Sequence, residues 1–195
     1  MIDKGLKNTL NGEIQRIYDR WNFRKLIQTN FVMHLKGKEK HFWRSYFNIS
    51  SLAEIPLELG RFRAIDDEVD DQVLFYLASR IPTIDNIYLK FTNVTDEGVK
   101  HLSNIKIEQL TLRDHSNITS ISIPYLNKLV DLEYLDILKT KIQLEDLPDL
   151  TNLQKLKELY ISSENLDREY FLEYVITMKE ILPNCILYIN YESYK

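Results

Sequence analysis

The chain has 195 residues, of which 44% are hydrophobic and 28% charged, with five Gly and five Pro, which excludes a disordered, collagen-like or linker-like chain. Its apolar stretches are too short to span a membrane, and its single cysteine, Cys185, cannot form an internal disulfide. The net charge of −4 is unevenly spread: residues 1–45 carry ten Lys/Arg against four Asp/Glu, and the remainder fifteen against twenty-five.

The opening segment, MIDKGLKNTLNGEIQ, has no apolar core after its basic residues, so no signal peptide is expected. With one lone cysteine, the expected setting is reducing and cytoplasmic. Residues 11–33 read as one or two helices with Ile14, Ile17, Trp21 and Phe23 on the apolar side. HFWRSYFNI (41–49) is dense in aromatics, and Phe42, Trp43, Tyr46 and Phe47 are expected to plug the first repeat of the region that follows, the other reading being an exposed aromatic hook for a partner. Residues 1–53 are therefore read as a helical, aromatic-rich N-terminal cap. DDEVDDQVLFYLASRI (66–81) reads as a helix whose acids sit near its positive end.

A repeat begins in the next stretch. Apolar residues fall at i, i+3 and i+5 in Ile84, Ile87, Leu89, then in Ile107, Leu110, Leu112, in Leu132, Leu135, Ile137 and in Leu156, Leu159, Ile161. The steps between copies are 23, 25 and 24 residues. A weaker copy downstream has Asn184, Leu187 and Ile189, and an upstream one is placed at Glu54, Leu57 and Leu59. Each strong copy is succeeded by one more apolar anchor: Val94, Ile118, Ile142 and Leu166. A period in the low-to-mid twenties predicts one short strand and one return segment per copy, stacked into a parallel sheet, because no copy can bury its apolar edge alone. Residues 167–182 then read as a closing helix, with Asp167 as N-cap, Phe171, Val175, Met178 and Leu182 at helical spacing, and Pro183 as the stop. PNCILYINYESYK then supplies a last strand.

The segments LEYLDILKTKI (132–142), LKELYISSENL (156–166) and IDNIYLKFTNVTDEGVKHL (84–102) resemble the leucine-rich repeat family, the last of them its ribonuclease-inhibitor-like and bacterial TDEG-type members. The resemblance covers roughly residues 54–191. It implies an α/β fold: a right-handed solenoid of about five to six irregular repeats over 54–195, with a parallel sheet on the concave face and helices or turns on the convex one. It also implies a non-catalytic role as a protein-binding surface. The family's ladder Asn is replaced here by Thr92, His115, Thr140 and Glu164. TDEG is expected on the convex side, with Thr95 as helix cap and Gly98 admitting a close neighbour.

Because side chains alternate along a strand, the residues between anchors face the concave side. One row is Tyr88, Thr111, Asp136, Tyr160 and Tyr188; a second is Asn86, Gln109, Tyr134, Glu158 and Ile186; a third is Lys90, Arg113, Leu138, Ser162 and Asn190. Tyr and Arg dominate interface energetics, so Tyr88, Tyr134, Tyr160 and Tyr188 are the candidate anchors. Asn86, Lys90, Gln109, Thr111, Arg113, Asp136 and Glu158 complete the candidate partner-binding set. Asp136, Glu158 and Arg113 would tune its charge.

Motifs for chemistry fail on spacing. A calcium loop begun at Asp66 would need Gly and Glu where Asp71 and Leu77 stand. His34, His41, His101 and His115 form no zinc-type set with one another or with Cys185. Asp114, His115 and Ser116 are adjacent in sequence, so their side chains diverge and cannot form a catalytic relay. KGKEKHFWRSYF (36–47) has basic and aromatic residues together, but the acidic remainder argues against nucleic acid. The expectation is a non-enzymatic interaction module for a protein or peptide, with no cofactor, metal, nucleic acid or membrane. Two other readings are an acidic inhibitor or immunity-type protein that neutralises a basic enzyme or toxin, and an assembly factor in a larger complex. The oligomeric state is left open by the sequence.

Overall fold

The computed structural model describes residues 35–164 and 167–194. Two compact units divide the chain, Met1–Glu54 and Ile55–Lys195. In the first, α1 (Gly37–Phe47) ends at Asn48, whose N–H donates to the Arg44 carbonyl and whose left-handed φ of 56° turns the chain so that the Ile49 N–H reaches the Trp43 carbonyl. Phe42 and Trp43 are buried, with ring centroids 4.9 Å apart, and Phe47 closes on Trp43 at 5.3 Å. The helices expected over 11–33, with Ile14, Ile17, Trp21 and Phe23, lie outside the described residues, as do His34 and Leu166.

The second unit is an α/β assembly around an open seven-stranded sheet in which the strands lie in chain order. They are β1 (Glu58–Ile65), β2 (Thr83–Lys90), β3 (Gln109–Arg113), β4 (Tyr134–Asp136), β5 (Glu158–Ile161), β6 (Ile186–Ile189) and β7 (Glu192–Tyr194). The first six run parallel, and β7 returns antiparallel to β6. Parallel neighbours need a crossover. The crossovers hold α2 (Asp71–Arg80), α3 (Asp96–Leu102), a 3-10 turn leading into α4 (Ile123–Leu126), a 3-10 segment over Leu144–Asp149, and α5 (Arg168–Ile181). In α5, Asp167 accepts from Glu169 N–H at 2.9 Å, and Phe171, Val175, Met178 and Leu182 are buried at the expected spacing.

The sheet register matches the anchor spacing. Phe62, Ile87, Leu110, Leu135, Leu159 and Leu187 pair across successive strands, and all are buried. The upstream copy, however, is not Glu54, Leu57, Leu59. Leu57 is 60% exposed, and the first rung is Leu59, Phe62 and Ala64, paired with Ile84, Ile87 and Leu89. Val69 then takes the place held later by Val94, Ile118 and Ile142, all buried. This also corrects the helix expected over 66–81. The chain must carry Val69 inward first, so Asp66 turns with φ 49°, and α2 starts at Asp71 behind an Asp70 cap that accepts from Val73 N–H.

Consecutive crossovers are tied by carboxylates. Asp71 Oδ1 accepts from Thr95 N–H (2.8 Å), and its Oδ2 accepts from the Thr95 hydroxyl (2.7 Å). One crossover later, Asp96 does the same for Thr119, both contacts being 2.8 Å. The Thr-Asp pair of TDEG is thus a joint. Thr95 caps its own helix and receives Asp71 from the preceding crossover, while Asp96 reaches forward.

Thr92, just after β2, also contacts the segment that follows β3. Thr92 N–H and Oγ1 lie 3.3 Å and 2.7 Å from His115 Nε2. The N–H can only donate, so Nε2 accepts and the ring is neutral. Burial pushes the His115 pKa below its ordinary 6.5, and the Leu112 and Arg113 carbonyls and the Asp114 charge offset this only in part. A His depressed on folding binds its proton more readily when unfolded, so its stabilising contribution is full above the unfolded pKa and is lost as pH falls. Urea unfolding at pH 7.5 and 5.5 should therefore show stability dropping at the lower pH, at most about 1.4 kcal/mol per pH unit from this site. In His115→Gln that part of the slope should vanish; an unchanged slope would contradict the neutral assignment.

Candidate functional site

The sheet face opposite the buried anchors is open, and the register aligns the expected rows. Tyr88, Thr111, Asp136, Tyr160 and Tyr188 lie side by side across β2–β6. Asn86, Gln109, Tyr134, Glu158 and Ile186 form the row beside them. Lys90 pairs with Arg113 at the strand ends. The corrected first rung adds Arg61 opposite Asn86, and Arg63 opposite Tyr88. Counting back one 25-residue step from Ile84 would have found them, had Phe62 and Ala64 been accepted as anchors.

The tyrosines form a contiguous patch. Tyr160 and Tyr188 stack with centroids 4.2 Å apart and planes within 3°, and Tyr134 leans on Tyr160 at 5.3 Å. Strand pairing puts the row neighbours at ring-stacking distance, which is why aromatics one repeat apart meet. Tyr88 stands apart from this patch, with Arg63 Cζ 5.4 Å from its ring centroid. Tyr160 Oη donates to Glu158 Oε2 at 2.8 Å. Burial, then the Asp136 charge, pushes the Tyr134 pKa up to about 12; burial and the bond to Glu158 raise that of Tyr160. Both hydroxyls therefore stay protonated at neutral pH.

Not every member of the rows is presented to solvent. Thr111 is buried, and Asp136 is 1% exposed. Asp136 takes an ion pair from Arg113 on the neighbouring strand and an N–H from Leu138 at 3.0 Å. Asn86 donates to Gln109 at 2.6 Å, tying two further members together.

The strand exits form a rim. Phe91 and Tyr191 both take left-handed φ, 52° and 72°, and are 49% and 62% exposed. Large side chains rarely adopt this conformation. Lys90 Nζ lies 4.9 Å from the Phe91 ring centroid, and Arg113 Cζ lies 5.9 Å from that of Tyr191. Lys90 and Lys139 share Asp114, at 3.8 Å and 3.1 Å.

Elsewhere the chemistry is sparse. A shallow depression of about 440 Å³ is lined by Asp71, Gln72, Phe75, Glu97 and His101. Its Asp71 carboxylate is already committed to Thr95. His115 points inward to Thr92 while Ser116 is exposed, so the Asp-His-Ser string makes no relay. Burial pushes the Cys185 thiol up to about 12, which keeps it un-ionised. Among the described residues no cluster of three or more His, Cys, Asp or Glu is arranged to hold a metal, and no helix is long and apolar enough to cross a membrane. Compared with known proteins, the sequence matches no family model and no curated relative.

Proposed function

We propose that residues 54–195 are a leucine-rich-repeat-type solenoid whose open sheet face is its concave surface, and that this surface binds a protein or peptide without catalysis. The observation that carries the reading is the stacked pair Tyr160–Tyr188 with Tyr134 beside it, half-exposed on one face of the sheet. Tyrosines locked by their neighbours lose little rotamer freedom on binding and offer large contact area with a polar tip. Six parallel strands in chain order, spaced by short crossovers, support the repeat architecture.

The test is affinity capture from the native host with the full chain and with Tyr160→Ala/Tyr188→Ala. Loss of two central aromatic anchors should reduce recovery of a specific partner at least about tenfold. Circular dichroism should show the variant folded, since these side chains lie outside the buried anchor layer. Undiminished recovery by a folded variant would remove this face from the function.

A further inference from the structure

We infer that the β1–β3 end of the open face recognises carboxylates, and that the partner is an extended protein segment with acidic residues at one end. This rests on the reading of the sheet face as a protein-binding surface and specifies its partner.

Charge on this face runs opposite to charge on the whole chain. The chain carries −4, with a pI near 5.6. The rows of the open face on β1–β3 carry Arg61, Arg63, Lys90 and Arg113 and no carboxylate until Asp136 on β4; Glu58, Asp85 and Glu108 are exposed outside these rows, at the strand starts. Arg113 is neutralised by Asp136. Lys90 shares Asp114 with Lys139, two cations on one carboxylate. Arg61 and Arg63 are exposed and enter none of the ion pairs seen among the described residues. The Arg63 guanidinium carbon lies 5.4 Å from the Tyr88 ring centroid, a contact that favours one placement of its planar fork.

Toward β6 the character changes. Tyr134, Tyr160 and Tyr188 supply apolar area, and Glu158 is the one further carboxylate, with Tyr160 bound to it. From Arg63 on β1 to Tyr188 on β6 are five strand spacings, about 24 Å, or roughly seven extended residues. A segment lying across the strands would set carboxylates on Arg61 and Arg63 and neutral or aromatic side chains on the tyrosines. A nucleic-acid strand fits less well, because its phosphates continue along the whole path and would run over Glu158.

The test uses the full chain, immobilised, to select from a phage library of random 12-residue peptides. Enriched peptides are then synthesised and titrated by fluorescence polarisation, beside fluorescein-labelled oligouridine of 15 nucleotides. Selected sequences should carry Asp or Glu clustered toward one end. Arg61→Glu/Arg63→Glu should weaken their binding at least about tenfold, and Arg61→Gln/Arg63→Gln by less. Raising NaCl from 50 to 500 mM should weaken wild-type binding and flatten the difference between variants. Peptides without an acidic bias, unmoved by the arginine variants but lost in Tyr160→Ala/Tyr188→Ala, would overturn the carboxylate assignment and leave the face reading standing. Peptides indifferent to both sets, or no enrichment at all, would overturn both. Oligouridine binding tighter than any selected peptide would overturn the protein partner.

Discussion

Asp136→Ala is expected to lower the unfolding free energy by about 2–4 kcal/mol, more than any other single change on the sheet face. Asp136 is 1% exposed, and it holds the Arg113 guanidinium and the Leu138 N–H. Truncation leaves a partly covered cation on β3 without its counter-charge and a buried N–H without an acceptor. The Arg113 side chain keeps 24% exposure, so solvent softens the loss below that of a fully buried pair. Two further variants separate the contributions. Asp136→Asn retains an acceptor for Leu138 and should lose only about 1–2 kcal/mol. Arg113→Met/Asp136→Leu removes both charges and should recover the part of the loss due to the uncompensated cation, while the Leu138 N–H still lacks its acceptor. Chemical denaturation of all three checks the order. Equal stability of Asp136→Ala and wild type would mean that the pair contributes nothing to the fold. The same pair bears on the site: with Asp136 occupied by Arg113, neither charge is fully available to a partner, and Arg61 and Arg63 become the accessible cations.

Legibility in the sequence tracks the strength of burial. The anchors from Ile84 to Ile161 are Leu or Ile facing a buried core, and their i, i+3, i+5 spacing is enough to place β2 to β5. Side-chain alternation likewise puts Tyr134, Tyr160 and Tyr188 on one face, where register then brings their rings together. The first rung is less legible because Phe62 and Ala64 occupy its anchor sites, while the exposed Leu57 imitates one. Arg61 and Arg63, which depend on that register, are illegible with it. Contacts between residues some 24 positions apart were illegible for a different reason. Asp71 with Thr95, Thr92 with His115, and Arg113 with Asp136 depend on the register of neighbouring crossovers and strands, which composition and spacing do not specify to one residue. Asp136 reads as an exposed charge in sequence because nothing local shows the arginine beside it.

Gly98→Ala is expected to destabilise by about 1–3 kcal/mol, although alanine is the better helix former by about 1 kcal/mol. A Cβ at Gly98 would overlap Asp71 Oδ1 and lie 2.8 Å from Val94 Cγ1 and 3.0 Å from Leu74 Cδ1. The tightest clash is with the oxygen that accepts from Thr95 N–H, so the methyl group attacks the joint between α2 and α3 directly. This predicts coupling. Asp71→Ala alone should cost about 2–3 kcal/mol, since the Thr95 N–H and hydroxyl lose their acceptor. With Asp71 already trimmed, the tightest clash is gone, while the Gly98 methyl still meets Val94 Cγ1 and Leu74 Cδ1, so part of its cost remains. The double variant Asp71→Ala/Gly98→Ala should then be more stable than the sum of the single losses by at least about 1 kcal/mol. Urea denaturation of the four members of the cycle measures it. Strict additivity would mean that Gly98 serves only its own helix, and that its closeness to Asp71 does not explain why glycine stands there.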